Sequence, residues 1–223
     1  MKKFLTIAAF LLSATLPLAA QEWSLGVHSG AFVFGDFVER RMRVGTPGGP
    51  TSTSSLILSA STRPGLTIDL ERTLTHRFSF RVEGTFTRAP LAVEQRSSGN
   101  PVEIDAGELD VTTLSLPLVF HINRGGAFRF HLHGGPALAL YRADPVENVD
   151  GAEPVFSGMQ SEYGVIFGGG VAWWLSDRFA IEGNVSDIIT TSPFDREDFP
   201  DAPGIQIERP QNGHATVGVR WRF

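Results

Sequence analysis

The chain contains no cysteine, and lysine occurs only at positions 2 and 3. The absence of cysteine excludes a disulfide framework, a thiolate metal site and a cysteine nucleophile. Beyond the N-terminal region, no apolar run approaches the ~20 residues that a membrane-spanning helix needs. With 19% charged and 42% hydrophobic residues in 223, the composition is neither that of a disordered chain nor that of a helical membrane protein.

The N-terminus has the parts of a secretory signal peptide. A basic pair is followed by an apolar stretch at 4–16 and by a plausible cleavage region that ends at Ala20. The sequence therefore predicts a signal peptide over residues 1–20 and a mature chain over 21–223. Its removal leaves 17 basic residues, all arginine, against 24 acidic residues, for a net charge of −7. An acidic exported chain predicts no nucleic-acid partner.

Apolar and polar residues alternate along much of the mature chain. The clearest segment is RFSFRVEGTFT at Arg77–Thr87, in which one face is apolar and the other polar. Segments of this kind flank three short turns that recur about one hairpin apart. The turns are centred near residues 74, 125 and 177. With a first strand at 23–34 and a last strand at 214–223, the count of predicted strands is eight.

Long polar stretches, rich in glycine and proline, separate these hairpins. They are predicted to be loops near 36–62, 88–108, 142–161 and 189–211. Short turns at one end and long loops at the other are typical of a bacterial outer-membrane barrel. Strands of about ten residues also match tilted transmembrane strands. The sequence therefore predicts an all-β fold, an eight-stranded antiparallel up-and-down transmembrane β-barrel, located in the cell outer membrane.

The direction of each strand face decides between a membrane barrel and a soluble one. A soluble lipocalin-like barrel would bury its apolar face, whereas an arginine facing hydrocarbon would cost ~2–4 kcal/mol near the bilayer midplane. The hairpin register is predicted to pair Leu70 with Phe78. This register places Glu71 opposite Arg77 on the polar face, so that opposite charges meet. Aromatic residues near strand ends resemble interfacial girdles. The polar faces are therefore predicted to fill the lumen with paired charges.

The chain ends on TVGVRWRF, an alternating segment at Thr216–Phe223. An unpaired strand edge in lipid leaves backbone groups without hydrogen bonds, so the last strand is predicted to pair with the first. The C-terminal Phe223 also resembles the signal that the outer-membrane assembly machinery reads. That barrel-assembly machinery is therefore a predicted partner.

The middle and C-terminal parts resemble the outer-membrane β-barrel domain family of small OmpA-like and PorT-like porin-family barrels. The resembling stretches are LSLPLVFHI (114–122), FRFHLHGGPALALY (128–141), YGVIFGGGVAWWLSDRFAIEGNVSDI (163–188) and ATVGVRWRF (215–223). The resemblance implies the barrel fold and the outer-membrane location. It implies no activity, because the functions of this family are diverse.

Three histidines, His121, His131 and His133, are predicted to face the lumen from neighbouring strands. Three imidazoles are a donor set for zinc. The other interpretation, which the sequence favours, is that they fill the lumen and bond to arginine, glutamate or water. No metal-ligating, cofactor-binding or catalytic residue is therefore predicted, and no cofactor.

Some outer-membrane lipid A hydrolases and acyltransferases are eight-stranded barrels that use serine and histidine on the lipid-facing surface. His28 and His214 are predicted to face inward at the seam between the first and last strands, as do the other strand histidines. The predicted function is thus a non-enzymatic outer-membrane barrel with a filled lumen. Its surface loops would serve adhesion, envelope-structural or secretion-accessory interactions. A lipid A-modifying enzyme and a small-solute pore are the alternatives.

Two acidic groups occur in the predicted loops. They are Asp144, Glu147, Asp150 and Glu153 in one, and Asp195, Glu197, Asp198 and Asp201 in the other. They are suited to divalent cations shared with surface lipopolysaccharide, although solvated loop charges are the favoured interpretation. The predicted partners are outer-membrane lipid, lipopolysaccharide and a protein at the outer loops.

Overall fold

A computed structural model describes residues 22–44, 52–96, 102–145, 158–193, 205–207 and 209–223. The predicted signal peptide at 1–20 lies outside these ranges. Within them, every regular element is a β-strand. No helix in the described part of the chain is long and apolar enough to cross a bilayer.

Twelve strands form one antiparallel sheet. Their bounds are β1 (Trp23–Phe34), β2 (Asp36–Val44), β3 (Ser52–Ala60), β4 (Arg63–Thr73), β5 (Phe78–Arg96), β6 (Val102–Ser115), β7 (Leu118–His121), β8 (Phe128–Pro145), β9 (Gly158–Trp174), β10 (Phe179–Thr190), β11 (Ile205–Ile207) and β12 (Gln211–Arg222). Some of these are pieces of one barrel strand, because β2 continues β1, β3 precedes β4, β6 precedes β7, and β11 precedes β12. The barrel therefore has eight strands, as the sequence predicts.

The sheet closes because β1 pairs with β4 on one side and with β12 on the other. At the seam, Ser24 lies opposite Arg222. The Phe223 N–H donates to the Trp23 carbonyl at 3.0 Å. Each barrel strand otherwise pairs with its neighbours in the chain, which makes the topology up-and-down. The predicted pairing of the last strand with the first is confirmed.

One barrel strand is interrupted at Leu116 and Pro117, between β6 and β7. Proline lacks the N–H that a central strand donates to its neighbour. Backbone bonds still join the flanking strands across the break. The Leu116 N–H donates to the Pro136 carbonyl, and the Pro117 carbonyl accepts from the Arg81 N–H, each at 3.0 Å. The barrel wall therefore stays continuous through the proline.

Two of the short turns share one construction, LTHRF at 74–78 and LSDRF at 175–179. The hydroxyl of Thr75 accepts the Phe78 N–H at 3.1 Å, and Ser176 accepts the Phe179 N–H at the same distance. A side-chain oxygen thus satisfies backbone donors that the tight turn would leave free. We call this end of the barrel, which also holds both ends of the described chain, the turn side, and the opposite end the loop side.

The predicted hairpin register was wrong, although its parity was right. Leu70 lies opposite Val82 rather than Phe78, and Glu71 lies opposite Arg81 rather than Arg77. Phe78 closes the turn instead, because its carbonyl accepts the Leu74 N–H at 2.9 Å. A shift by an even number of residues leaves every side chain on its predicted face.

Burial follows the predicted alternation. Outward residues are apolar and exposed, such as Phe128 at 55% and Val217 at 61%. Inward residues include charged groups, with Arg81 and Glu182 each only 1% exposed. Aromatic side chains ring the exterior of the turn side, and these are Phe78, Phe128, Trp173, Phe179, Trp221 and Phe223. The barrel thus places its ionised side chains inside and its apolar surface outside.

Strand replaces loop in much of two predicted loop regions. Within 36–62 the chain forms β2 and β3, and within 88–108 it forms the end of β5 and the start of β6. The polar and proline residues that indicated loops are accommodated by pairing above the apolar belt. Arg88, for example, lies opposite Asp110 and binds its Oδ2 at 2.9 Å. The chain between Pro145 and Gly158 lies outside the described residues, as does most of 194–208.

Candidate functional site

The centre of the barrel holds a buried network of ionised side chains. Arg81 on β5 donates to Glu71 at 2.7 Å and to Glu182 at 3.2 Å. Arg220 on β12 donates to Asp69 at 2.8 Å and also to Glu182. All five side chains come from strands that the closed sheet brings to one level. Because each arginine contacts more than one carboxylate, charges that would be costly alone are compensated together.

Small residues make room for this network. A side chain at Gly26 would overlap the Asp69 carboxylate and the His28 ring. His28 itself binds Asp69, with Nε2 and Oδ2 2.9 Å apart. On the far side of the lumen, a side chain at Gly170 would overlap Asn184. The glycines in these strands therefore let long polar side chains cross a narrow lumen.

The histidines predicted to face the lumen do so, but each has its own polar partner. Nε2 of His131 lies 3.0 Å from Asn184 Oδ1, and Nε2 of His133 lies 2.9 Å from Ser186 Oγ. Nε2 of His121 lies 2.7 Å from Ser79 Oγ. In the described ranges, no three histidine or carboxylate side chains converge as metal ligands. Each of these imidazoles thus fills lumen space beside a polar side chain.

Among the described residues, two serine–histidine pairs lie inside the barrel. Ser186 and His133 are 4% and 6% exposed, and Ser79 is fully buried. Nδ1 of His133 has no hydrogen-bond partner among the described residues, so no carboxylate orients the ring as in a catalytic triad. The remaining strand histidines, His28 and His214, also face inward and are buried. The described lipid-facing strands therefore present no serine–histidine pair.

A second layer of side chains, which is apolar, fills the lumen on the loop side. The sequence analysis did not predict this layer. Its buried members are Phe32, Phe34, Phe37, Val38, Ala60, Ala89, Leu91, Leu109, Val111, Ala139 and Tyr141. The Tyr141 hydroxyl reaches Thr190 Oγ1 and accepts from Asn212, each at 2.9 Å. The sequence does contain one indication of this layer, because Phe32 and Phe34 lie on the same strand face as the inward His28. The lumen therefore has an ionised layer and an apolar layer in series.

The turn-side mouth is basic and aromatic. The guanidinium groups of Arg129 and Arg222 lie 4.6 Å and 4.0 Å from the centroid of Trp174. Arg124 donates to Ser79 at 2.7 Å, and burial lowers the pKa of its guanidinium. The space that remains at this mouth is about 40 Å³. It has room for a few water molecules only.

Closed barrels with this architecture are known among solved structures. The barrel is similar to that of OprG. The crystal structure of OprG, an outer membrane protein from Pseudomonas aeruginosa, matches with a TM-score of 0.62 and 12% identity, over 92% of this chain and 96% of that chain. The β-barrel domain of Pseudomonas aeruginosa OprF matches with a TM-score of 0.43 and 13% identity, over 90% and 97%. Neither a family model nor a curated protein matches the sequence.

The apolar exterior of the barrel agrees with its structural likeness to OprG. Strands satisfy all their backbone groups in a bilayer only when the sheet closes. The closed sheet here carries its exposed apolar side chains outward and its ions inward. The protein is an eight-stranded outer-membrane β-barrel. In such barrels the short turns face the periplasm and the longer connections face the outside of the cell.

Proposed function

We propose that the protein is a non-enzymatic outer-membrane barrel with a plugged lumen, and that its loop side carries interactions with other molecules. The observation that supports this proposal is the pair of arginines, Arg81 and Arg220, held among Asp69, Glu71 and Glu182. These side chains are 6% exposed or less. Such a network occupies the space through which a solute would pass.

The plug is tested by electrical recording in planar lipid bilayers. Because the ionised layer and the apolar layer lie in series, we expect purified protein to give no conductance steps. Heat-modifiable migration on a semi-native gel shows, in the same sample, that the barrel is folded. Stable steps from folded protein would contradict the plug and favour the alternative of a small-solute pore.

The absence of enzymatic activity is a separate part of the proposal. It is supported by the inward orientation of Ser186 and His133, which keeps them from an acyl chain in the bilayer. We expect mass spectra of lipid A to be identical for cells with and without the protein. A new acylation or deacylation product that depends on the protein would favour the lipid A-modifying alternative.

Two cellular phenotypes distinguish an adhesive role of the loop side from an envelope-structural one. Residues 146–157 join β8 to β9 at this end and can be replaced by a short glycine–serine linker. For an adhesive role, cells with the shortened protein should attach to surfaces as poorly as cells that lack it. For an envelope-structural role, cells with the shortened protein should take up a dye that intact outer membranes exclude. Loss of neither property would contradict both roles.

The likeness to small OmpA-like and PorT-like barrels, the binding of lipopolysaccharide and the use of Phe223 by the barrel-assembly machinery belong to the same proposal. The lipid partner is supported by the exposed apolar belt. The assembly partner is supported by the alternating strand that ends on an exposed aromatic, because Phe223 is 59% exposed at the turn side.

A further inference from the structure

A groove of about 440 Å³ lies on the lipid-facing surface of the barrel. It crosses four adjacent strands near the seam. Its lipid-facing lining is Ala31 and Val33 on β1, Gly213 and Ala215 on β12, Val185 and Asp187 on β10, and Phe167 on β9. The floor is low because its residues are small, and a side chain placed at Gly213 would meet no atom within 4 Å. The volume lies in the range of about 300–1,000 Å³ that small-molecule sites occupy.

One residue of the groove is chemically out of place. Asp187 lies opposite Gly213 and Phe167, on the outward face of β10. Its neighbours Ser186 and Ile188 are buried inside the barrel. Oδ1 of Asp187 is enclosed and has no hydrogen-bond partner among the described residues. A carboxylate without a partner at the edge of hydrocarbon is costly, and such residues usually mark functional sites.

Other carboxylates of the barrel show what Asp187 lacks. Asp69 and Glu182 are compensated by arginine inside the barrel. Asp110, which faces outward like Asp187, binds Arg88 at 2.9 Å. Asp187 lies near the loop-side end of β10 at Thr190, hence near the headgroups of the outer leaflet. Its missing partner is therefore expected to come from a lipid.

We propose that the groove holds one acyl chain of an outer-leaflet lipid whose headgroup carries a primary ammonium group, and that this ammonium binds Asp187. The apolar walls fit the chain. The carboxylate fits the ammonium, because a charge-assisted hydrogen bond would neutralise a carboxylate that no described residue pairs. The negative charge of Asp187 disfavours headgroups that are only anionic. The site is independent of whatever the loops bind.

The test uses the purified protein in lipid nanodiscs of phosphatidylethanolamine, phosphatidylglycerol and phosphatidylcholine in equal amounts, with matched acyl chains. Native mass spectrometry after mild detergent extraction counts the lipids that stay bound. We expect phosphatidylethanolamine to be retained roughly tenfold over the other two, which corresponds to about 1.4 kcal/mol for the hydrogen bond to the charged group. Phosphatidylcholine is the sharp comparison, because its quaternary ammonium has no N–H.

Two variants separate the headgroup contact from the groove. In Asp187→Asn we expect the headgroup preference to disappear while chain binding persists. In Gly213→Val we expect retention of all three lipids to fall, because the added side chain fills the floor. Ala215→Leu is a second filling variant, in case Gly213→Val does not fold.

The matched control is Gly183→Val. Gly183 also faces outward from β10, lies outside the groove, and has space for a side chain, with the nearest atom 3.8 Å away. It should retain lipids as the unaltered protein does. Heat-modifiable migration verifies folding of every variant. The proposal is overturned if the unaltered protein shows no preference among headgroups, if Asp187→Asn keeps the preference, or if both filling variants bind lipid normally.

Discussion

Arg81 and Glu71 lie directly opposite each other across the β4–β5 hairpin, and their side chains meet inside the barrel with Nη2 and Oε2 2.7 Å apart. Both are almost completely buried. Their contact therefore differs from a surface ion pair, which water and salt would weaken.

Replacement of this arginine should be strongly destabilising. Arg81→Met leaves Glu71 and Glu182 with one guanidinium fewer, and removal of one partner of a buried ion pair costs about 3–5 kcal/mol. The measurement is the free energy of unfolding in urea, with the protein in lipid vesicles and tryptophan fluorescence as the signal. The control is Arg88→Gln on the exterior, where loss of an exposed pair should cost about 1 kcal/mol or less. Equal costs for both variants would contradict the buried network.

The two members of the pair should also be coupled. Glu71→Met alone leaves Arg81 short of an acceptor, whereas the double variant removes both charges. We expect the double variant to be less destabilised than the sum of the single variants, by about 0.5–3 kcal/mol. The same urea titration, run as a double-mutant cycle, gives the coupling free energy. Strict additivity would show that the two side chains act independently.

The space that Gly26 leaves for Asp69 and His28 should be as important for stability as the buried charges. Gly26→Ala places a methyl group against Asp69 and His28, and overpacking of this kind costs about 1–3 kcal/mol. Gly84→Ala is the matched control on the outward face, where the nearest atom to the added carbon is 3.8 Å away. There we expect no loss of stability. Comparable losses at both positions would indicate that strand glycines are needed for another reason.

Phe223 should affect assembly in cells more than stability. Phe223→Ser keeps the backbone bond to the Trp23 carbonyl and removes only the exposed ring. We expect less folded protein in outer-membrane fractions, measured by heat-modifiable migration. Urea unfolding of the refolded variant in vesicles should change by about 1 kcal/mol or less. Normal amounts in the outer membrane would contradict a role for the ring in recognition by the assembly machinery.

Alternation sorted the side chains into two faces, and the cost of arginine in hydrocarbon decided which face was inward. Parity then placed His28 and Glu182 inside, because a strand has only two faces. The hairpin register needed more than parity. Whether Leu70 lies opposite Phe78 or Val82 depends on how the Thr75 hydroxyl closes the turn, and both registers keep the same faces.

The filling of the lumen was predictable only in its charged part. Opposite charges on inward faces indicate a buried ion network. The expectation that inward faces are polar gives no indication of an apolar layer in the same lumen. Phe32 and Leu109 belong to that layer because several strands bring them to one level, which no single strand reveals. Asp187 shares the outward face of Val185 on β10, so alternation alone places a carboxylate on the lipid-facing surface.

The Phe223 N–H donates to the Trp23 carbonyl, and the pairing of β1 with β12 joins the two ends of the described chain. A ribosome must therefore have made all the residues between these two strands before the first strand can meet its last partner. The polypeptide must cross the inner membrane and the periplasm with that pairing still unmade, so closure of the cylinder is an event that follows translation. Contacts this distant in sequence also form slowly, which makes the waiting chain dependent on protection from aggregation until it reaches lipid.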